Sequence, residues 1–432
     1  MADFDVVVVG AGPAGACAAT VLARKGRSVL LLERGPFPGS KNMYGGVVYP
    51  RMLDQLHPEW WDDVPYQRWI TRRSTMMLTD SQAISVDFRT AAWGRPPYNG
   101  MTAYRPDFDH WLARKAERDG AELLCATTAT GLLRDGDRVV GVRTDRPDGD
   151  ATAEVVIACD GVNSFLAKEA GLFGTVDASN YTLGVKETLA MPKEVIDERF
   201  AVRGREGVDI EILGGTSGVG GGGFVYTNLD TLGVGVVLKV PALAAQSVRP
   251  EAIIASLKAH PAIAPLVDGG ELVEYSAHLI PEAGLSMIPT LATHGMVVAG
   301  DAASLCLAAG IWLEGVNFAI ASGMYAGEAV DEALQARDVS VQGLAGYERR
   351  LASTFVLRDH RKLRRVPALM LSDRVQNEYP QLAANVVERM FRVDNPAPKP
   401  GLRRIVKEER RRAGIRLRHL ARDAWAGVRG FG

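Results

Sequence analysis

Six residues near the start of the chain, Gly10-Ala11-Gly12-Pro13-Ala14-Gly15, have the types and spacing to hold a phosphate-bearing ligand without any charged side chain. In a G-x-G-x-x-G turn the first glycine permits the tight bend and the second lets a pyrophosphate approach the backbone, while the third lets the following helix lie close on its strand. Pro13 and Ala14 open that helix, whose N-terminus would face the phosphates with unpaired N–H groups and the positive end of its dipole. Glu33, eighteen residues after Gly15 and followed by Arg34, is placed to accept hydrogen bonds from a ribose. The chemistry predicted is the binding of a dinucleotide.

The motif alone is weak, and its surroundings give it weight. Phe4 to Val9 is a β-branched run suited to a buried parallel strand, and Ala14 to Lys25 reads as a helix stopped by Gly26. Ser28 to Leu32 then completes a βαβ unit of about thirty residues. A Pro/Gly-rich connection, PFPGSKNMYGGVVYP, follows and is too irregular for a regular element, so it is a candidate functional loop. Asp107 to Gly120 reads as a helix, and residues 121–158 as short strands with turns at Asp135-Gly136-Asp137 and Pro147-Asp148-Gly149. From about 180 to 290 longer strands and a helix near 250–260 suggest a second sheet. The glycine-rich run from Gly214 to Gly223 reads as strand and hairpin rather than a phosphate loop, with a turn near Asn228-Leu229-Asp230. Met296 to Ala299 is a further buried strand, and a long helix is expected from Val316 to Gln335. Residues 340–395 look helical, and a Pro-rich hinge, NPAPKPG, leads to the tail.

At 432 residues the chain suggests two or three domains. Its net charge of −1 argues against a field directed at nucleic acid. Cys17, Cys125, Cys159 and Cys306 are scattered, without metal-ligand spacing, and read as buried thiols in a reducing compartment; no metal is expected. The start lacks the pattern of a signal peptide, and no apolar run reaches the roughly 20 residues needed to span a bilayer. A cytoplasmic location is expected, peripheral to the inner face of the membrane if the tail binds lipid. That tail, from Lys399, carries eleven cationic side chains against three acidic ones, a net of +8. Leu402, Ile405, Val406, Leu417, Leu420 and Trp425 recur at near-helical intervals, interrupted by Gly414. A basic amphipathic helix pair suits anionic lipid or an acidic ferredoxin; equally, it reads as a solvated pair packing one stripe on its own domain.

Which dinucleotide is bound depends on two later segments. ACDGVNSFLAKEAGL puts Asp160-Gly161 after a strand, and AGDAAS puts Gly300-Asp301 at another strand end. With these the chain resembles FAD enzymes of the p-hydroxybenzoate-hydroxylase type. The resemblance implies FAD as cofactor, Asp301 at its ribityl or pyrophosphate region, and Arg105 near the phosphates. Asp160 also reads as a turn residue or helix cap. Gly310-Ile311-Trp312-Leu313-Glu314-Gly315 opens the long helix, and beside a flavin its N–H groups and dipole would stabilise negative charge on the reduced ring. Trp312 reads equally as core.

PGSKNMYGGVVYP, GGGFVYTNLDTLGVGVVL, GDAAS and STFVLRDHRKLRRVP together resemble the FixC branch of the electron-transfer-flavoprotein:quinone oxidoreductase and geranylgeranyl reductase family, over nearly the whole chain. The resemblance places Lys41, Asn42 and Gly45 close to the flavin. It implies electron transfer from an electron-transfer flavoprotein through FAD to a small ferredoxin-like protein or a quinone. Larger quinone oxidoreductases carry a cysteine-bound iron–sulfur cluster in the same chain; here no cysteine follows Cys306, so a cluster would belong to a partner. The alternative is FADH₂-dependent reduction of C=C bonds in a prenyl or other apolar substrate. Against it, the YxWxFPK-like segment of geranylgeranyl reductases is replaced by FVYTNLD. A flavin monooxygenase or halogenase is a third reading, but the halogenase WxWxIP motif is missing and Trp60-Trp61 are adjacent. A non-enzymatic FAD-binding scaffold is a fourth, and no pattern favours it. No second G-x-G-x-x-G in a βαβ setting supplies an NADPH domain, and no general acid or base stands out.

The fold expected is therefore α/β: a glutathione-reductase-like FAD-binding domain (1–175 and 285–340) carrying the flavin loop at 36–50. A substrate-side β-sheet domain (176–284) would be inserted into it, with a helical region (341–398) and the basic tail (399–432) after it.

Overall fold

The computed structural model describes residues 2–42, 45–174, 177–282, 284–310 and 313–431. Strand β1 (Phe4–Val9) is apolar on both faces, so it takes a central place in a parallel sheet. It lies between β2 (Val29–Leu32) and the late strand β3 (Ala151–Ala158), with Val9 opposite both Leu32 and Ala158. Met296–Val298 extends the sheet beyond β3, and Glu122–Leu124 extends it beyond β2, all five running parallel. The Ala129–Asp135 and Arg138–Thr144 hairpin joins through β3. Because the strands are parallel, Gly10, Glu33, Cys159 and Ala299 all follow strand ends at one edge, where open α/β sheets bind ligands.

Two helices pack on this sheet with backbone nearly touching backbone. The first (Pro13–Arg24) is covered by the long Val316–Gln335 helix. A Cβ on Gly323 would stand 2.0 Å from the Ala14 carbonyl oxygen, and one on Gly327 2.9 Å from that of Ala18. The Ser322 hydroxyl accepts from the Gly300 N–H (3.0 Å), joining the long helix to the GDAAS turn.

A nine-stranded sheet forms the second layer. By sequence, residues 46–103 are expected in the first unit. Here Gly46–Val48, Arg68–Leu78, Ala83–Arg89 and Met101–Ala103 pair into the second sheet, the Arg68–Leu78 strand lying parallel to Glu206–Gly214. Short strands separated by loops carry no signal for such distant partners. The outer face is apolar: Val185, Val208, Ile210, Val225, Val234 and Val236 meet Ile253, Ile254 and Leu257 of the Pro250–Ala259 helix. The inner face carries Arg73, Asp209, Glu211, Tyr226 and Lys186. Gly233 and Gly235 leave room for rings on this face, since Cβ atoms there would come within 2.2 Å of Tyr226 and 2.4 Å of Phe224.

The tail forms two helices, Leu402–Arg412 and Leu417–Phe431, turning at Gly414 in the left-handed region (φ +68°). No helix among the described residues is long and apolar enough to cross a membrane. A Gly323→Val substitution is expected to lower stability by about 1–3 kcal/mol by overpacking the helix seam. Gly401→Ala, with open space around it, should change stability by less than about 0.5 kcal/mol. Urea unfolding of the two variants checks the difference.

Candidate functional site

A cleft of about 410 Å³ runs along the carboxyl edge of the parallel sheet, within the roughly 300–1,000 Å³ usual for ligand pockets. Of the residues singled out from the sequence, Gly10, Gly12, Pro13, Ala14, Glu33, Arg34, Lys41, Asn42, Gly45, Arg105, Asp160, Gly161, Gly300, Asp301 and Gly315 all line it. Gly15 and Gly310 do not. A Cβ on Gly15 would stand 1.9 Å from the Gly10 carbonyl, so this glycine serves turn and helix packing; a Cβ on Gly310 would meet Met370 at 2.9 Å, away from the cleft. Trp312, with Ile311, and Met43 and Tyr44 of the GSKN loop lie outside the described residues.

Two helix N-termini open on the cleft. Gly12 caps the first helix and Gly315 the long one, and neither offers a side chain to the free N–H groups. A Cβ on Gly12 would meet no atom within 4 Å, so the space there is open for a ligand to come against the backbone. Glu33 is buried and held by two backbone donors: Ala11 N–H to Oε2 at 3.2 Å and Gly35 N–H to Oε1 at 2.7 Å. A carboxylate so fixed keeps lone pairs for further donors.

Asp109, which sequence reading missed, organises the next wall. It is fully buried, pairs with Arg105 through two hydrogen bonds of 2.8 Å each, and accepts from Asn42 Nδ2 at 2.8 Å. One carboxylate thus ties the loop to the Arg105–Arg118 helix and fixes the guanidinium. Its i,i+4 spacing from Arg105 in RPDFD was the available signal.

Asp160 caps a short helix and also lines the cleft. Its Oδ2 accepts from Leu166 N–H at 3.1 Å at the start of a short helix, while Oδ1 is buried without a partner beside the cleft. The amide of Asn317 repeats the pattern: Nδ2 donates to Glu314 Oε2 at 2.5 Å and Oδ1 is left without a donor. Burial raises the pKa of Asp301, opposed by the charges of His278 and Arg105, and burial lowers that of His278. His278 comes from Glu271–Pro281 of the second sheet, so the two sheets meet across the cleft. Behind Gly45, the buried Lys186 ammonium donates to the Gly45 carbonyl (3.0 Å) and lies 3.3 Å from the Tyr226 hydroxyl, and burial pulls its pKa down to about 8. His278 and Lys186 lie on polar faces of remote strands, which no local pattern connects to the glycine turn.

Open N–H groups, a bare glycine backbone and orphaned acceptor oxygens are the complement of a ligand with a pyrophosphate, sugar hydroxyls and ring N–H groups. Residues 3–202 match the model of an FAD binding domain, and the chain is an FAD-dependent oxidoreductase with the p-hydroxybenzoate-hydroxylase type of FAD fold. Residues 366–432 match the ETF-QO/FixC family C-terminal domain. A probable electron transfer flavoprotein-quinone oxidoreductase of Escherichia coli, YdiS, is 38% identical over 95% of this chain and 96% of its own length. Protein FixC of Bradyrhizobium diazoefficiens is 40% identical over 90% and 91%. The chain therefore belongs to the ETF-QO/FixC family. Among solved structures, a geranylgeranyl bacteriochlorophyll reductase-like protein of Thermoplasma acidophilum shares the fold, with a TM-score of 0.73 at 21% identity, over 95% of this chain and 97% of that one. The flavin-dependent brominase Bmp2 does so at 0.64 and 16%, over 95% and 99%. At these identities the likeness is one of fold.

Asp109→Ala leaves the half-buried Arg105 guanidinium without its carboxylate, and a loss of up to about 3–5 kcal/mol is expected, together with weaker FAD retention. Thermal melting and the flavin-to-protein absorbance ratio after gel filtration measure both; an unchanged ratio would separate Asp109 from the site.

Proposed function

We propose that this protein passes electrons from an electron-transfer flavoprotein through FAD to a quinone or a ferredoxin-like partner. The observation that carries the reading is near-full-length similarity to a relative named for electron transfer flavoprotein-quinone oxidoreduction. FAD supplies a carrier that takes up two electrons and can release them one at a time. Around it, the Gly12 turn and first helix would hold the pyrophosphate, Glu33 the ribose, and Asp160 and Asp301 the remaining hydroxyls. Arg105, fixed by Asp109, would face the phosphates, and the Lys41–Asn42–Gly45 loop would lie against the ring. The N–H groups beyond Gly315 would stabilise negative charge at its pyrimidine end. With four free and scattered cysteines, an iron–sulfur cluster would sit on the partner.

The expected measurement is rapid flavin bleaching when a reduced electron-transfer flavoprotein is mixed with the yellow protein, and slow bleaching with NAD(P)H alone. Fast reduction by NADPH would overturn the donor assignment.

The tail supports a membrane-facing role, on the cytoplasmic side, for one of its surfaces. Its acids are used internally: Arg389 pairs with Glu408 (2.9 Å) and Glu409 (2.8 Å), and Arg374 with Asp423 (2.5 Å). Ile405 and Ile415 are buried, whereas Leu417, Trp425 and Val428 are each at least 60% exposed among arginines. Apolar side chains within a basic surface suit an anionic bilayer. In liposome flotation, replacing Leu417 and Trp425 by serine is expected to abolish association with phosphatidylserine vesicles. Equal flotation of the variant would exclude this surface.

A further inference from the structure

At the end of the cleft where Tyr49 forms the wall, the second sheet presents more acid than base. Asp209 and Glu211 stand two residues apart on the inner face of Glu206–Gly214, and Arg73 of the neighbouring strand pairs with both. Its Nε lies 3.4 Å from Asp209 Oδ2, and a terminal nitrogen contacts Glu211 Oε1. The same guanidinium lies 5.7 Å from the centre of the Tyr49 ring. Tyr226 faces Asp209 from the adjoining strand. Glu314, flanked by the cleft residues Leu313 and Gly315, is a third carboxyl near enough to bear on Arg73 and Tyr49, and Asp359 of the Phe355–Lys362 helix bears on Glu314.

A guanidinium balances one carboxylate. The second, in a site where Asp209 is 5% exposed, would be a buried charge without a counter-charge, and such groups keep a proton instead. Burial raises both members of the pair, and Asp209 raises Glu211 further, against the pull of Arg73. Glu314 is raised by burial as well. Burial, then Asp209, pushes the Tyr49 hydroxyl so far up that it stays a neutral donor. A cross-strand ion pair for stability alone would need only one acid.

We propose that the Asp209–Glu211 pair stores a proton on Glu211 and releases it past Tyr49 to an acceptor of the quinone class bound at that end of the cleft. The proposal rests on the electron-transfer reading above. A quinone becomes a quinol by gaining two electrons and two protons. Both electrons and one proton would come from the cofactor in its anionic reduced form, and Glu211 supplies the other proton, becoming a carboxylate paired with Arg73 until solvent reprotonates it. An acceptor that takes single electrons without protons has no use for the store.

The test is stopped-flow reoxidation of pre-reduced holoenzyme by a water-soluble benzoquinone and, separately, by ferricenium ion. For the wild type the quinone rate is expected to fall as pH rises, because the donor must be protonated, while the ferricenium rate shows no such fall. E211Q should slow the quinone reaction on the order of 10²-fold and lose the alkaline fall, with the ferricenium rate unchanged. E211D, which keeps an acid, should keep the fall. An independent readout is the infrared difference spectrum, wild type minus E211Q, of the oxidised protein at neutral pH, in which the C=O band of a protonated carboxyl is expected. A difference spectrum without that band, or a quinone profile of E211Q identical to the wild type, overturns the proton store alone. A wild type oxidised by ferricenium but not by quinone overturns the quinone reading and the acceptor half of the proposal with it.

Discussion

The close approach of backbone to backbone around the glycine turn is the constraint on which the rest of this structure depends. Gly10 bends in the left-handed region (φ +100°), where a Cβ would lie 2.3 Å from the Cys159 carbonyl, and Gly15 lets the first helix return onto that turn. Gly323 then brings the long helix down on Ala14. With no side chains in these seams, two helix N-termini reach one cleft with their N–H groups free, an electrostatic environment suited to a pyrophosphate and to charge on a reduced flavin. A single methyl group in any of these seams would have to be absorbed by moving a helix.

The second constraint is that charges taken out of water need partners. The molecule meets it in three ways. Asp109 is matched by Arg105 and by the Asn42 amide, which makes it a rigid strut. Lys186 is answered by a carbonyl and a phenol, and its ammonium form is weakened accordingly. Asp209 and Glu211 share one guanidinium, so one of them is better off protonated. Asp109 and Lys186 hold residues of the cleft wall, and the acid pair lies on the same polar face of the second sheet as Lys186.

At the other end of the chain, the tail shows how a large net positive charge is made compatible with packing. Its few acids are spent on Arg374 and Arg389 of the body, its isoleucines are buried, and the remaining arginines point outward beside exposed Leu417 and Trp425. One face of the pair packs on the body, and another carries exposed apolar side chains among arginines.

What the sequence by itself determined about this protein is local in nature. The βαβ unit, the glycine turn, Glu33, the strand-end Asp160 and Asp301, the long helix from Val316 and the paired tail helices follow from periodicity, turn chemistry and motif spacing, because each depends on residues close in the chain. Resemblance over nearly the whole chain added the family and the expectation that the loop at 36–50 lies beside the flavin. Tertiary structure alone decided that residues 46–103 join the second sheet, that Gly310 packs against Met370, that His278 lines the cleft, and that Lys186, Asp209 and Glu211 share the polar face of the second sheet. The physical reason is that strand pairing is non-local. A polar side chain on a β-strand points to solvent or to a buried site according to which layer covers that face, and nothing within the strand itself specifies the covering layer.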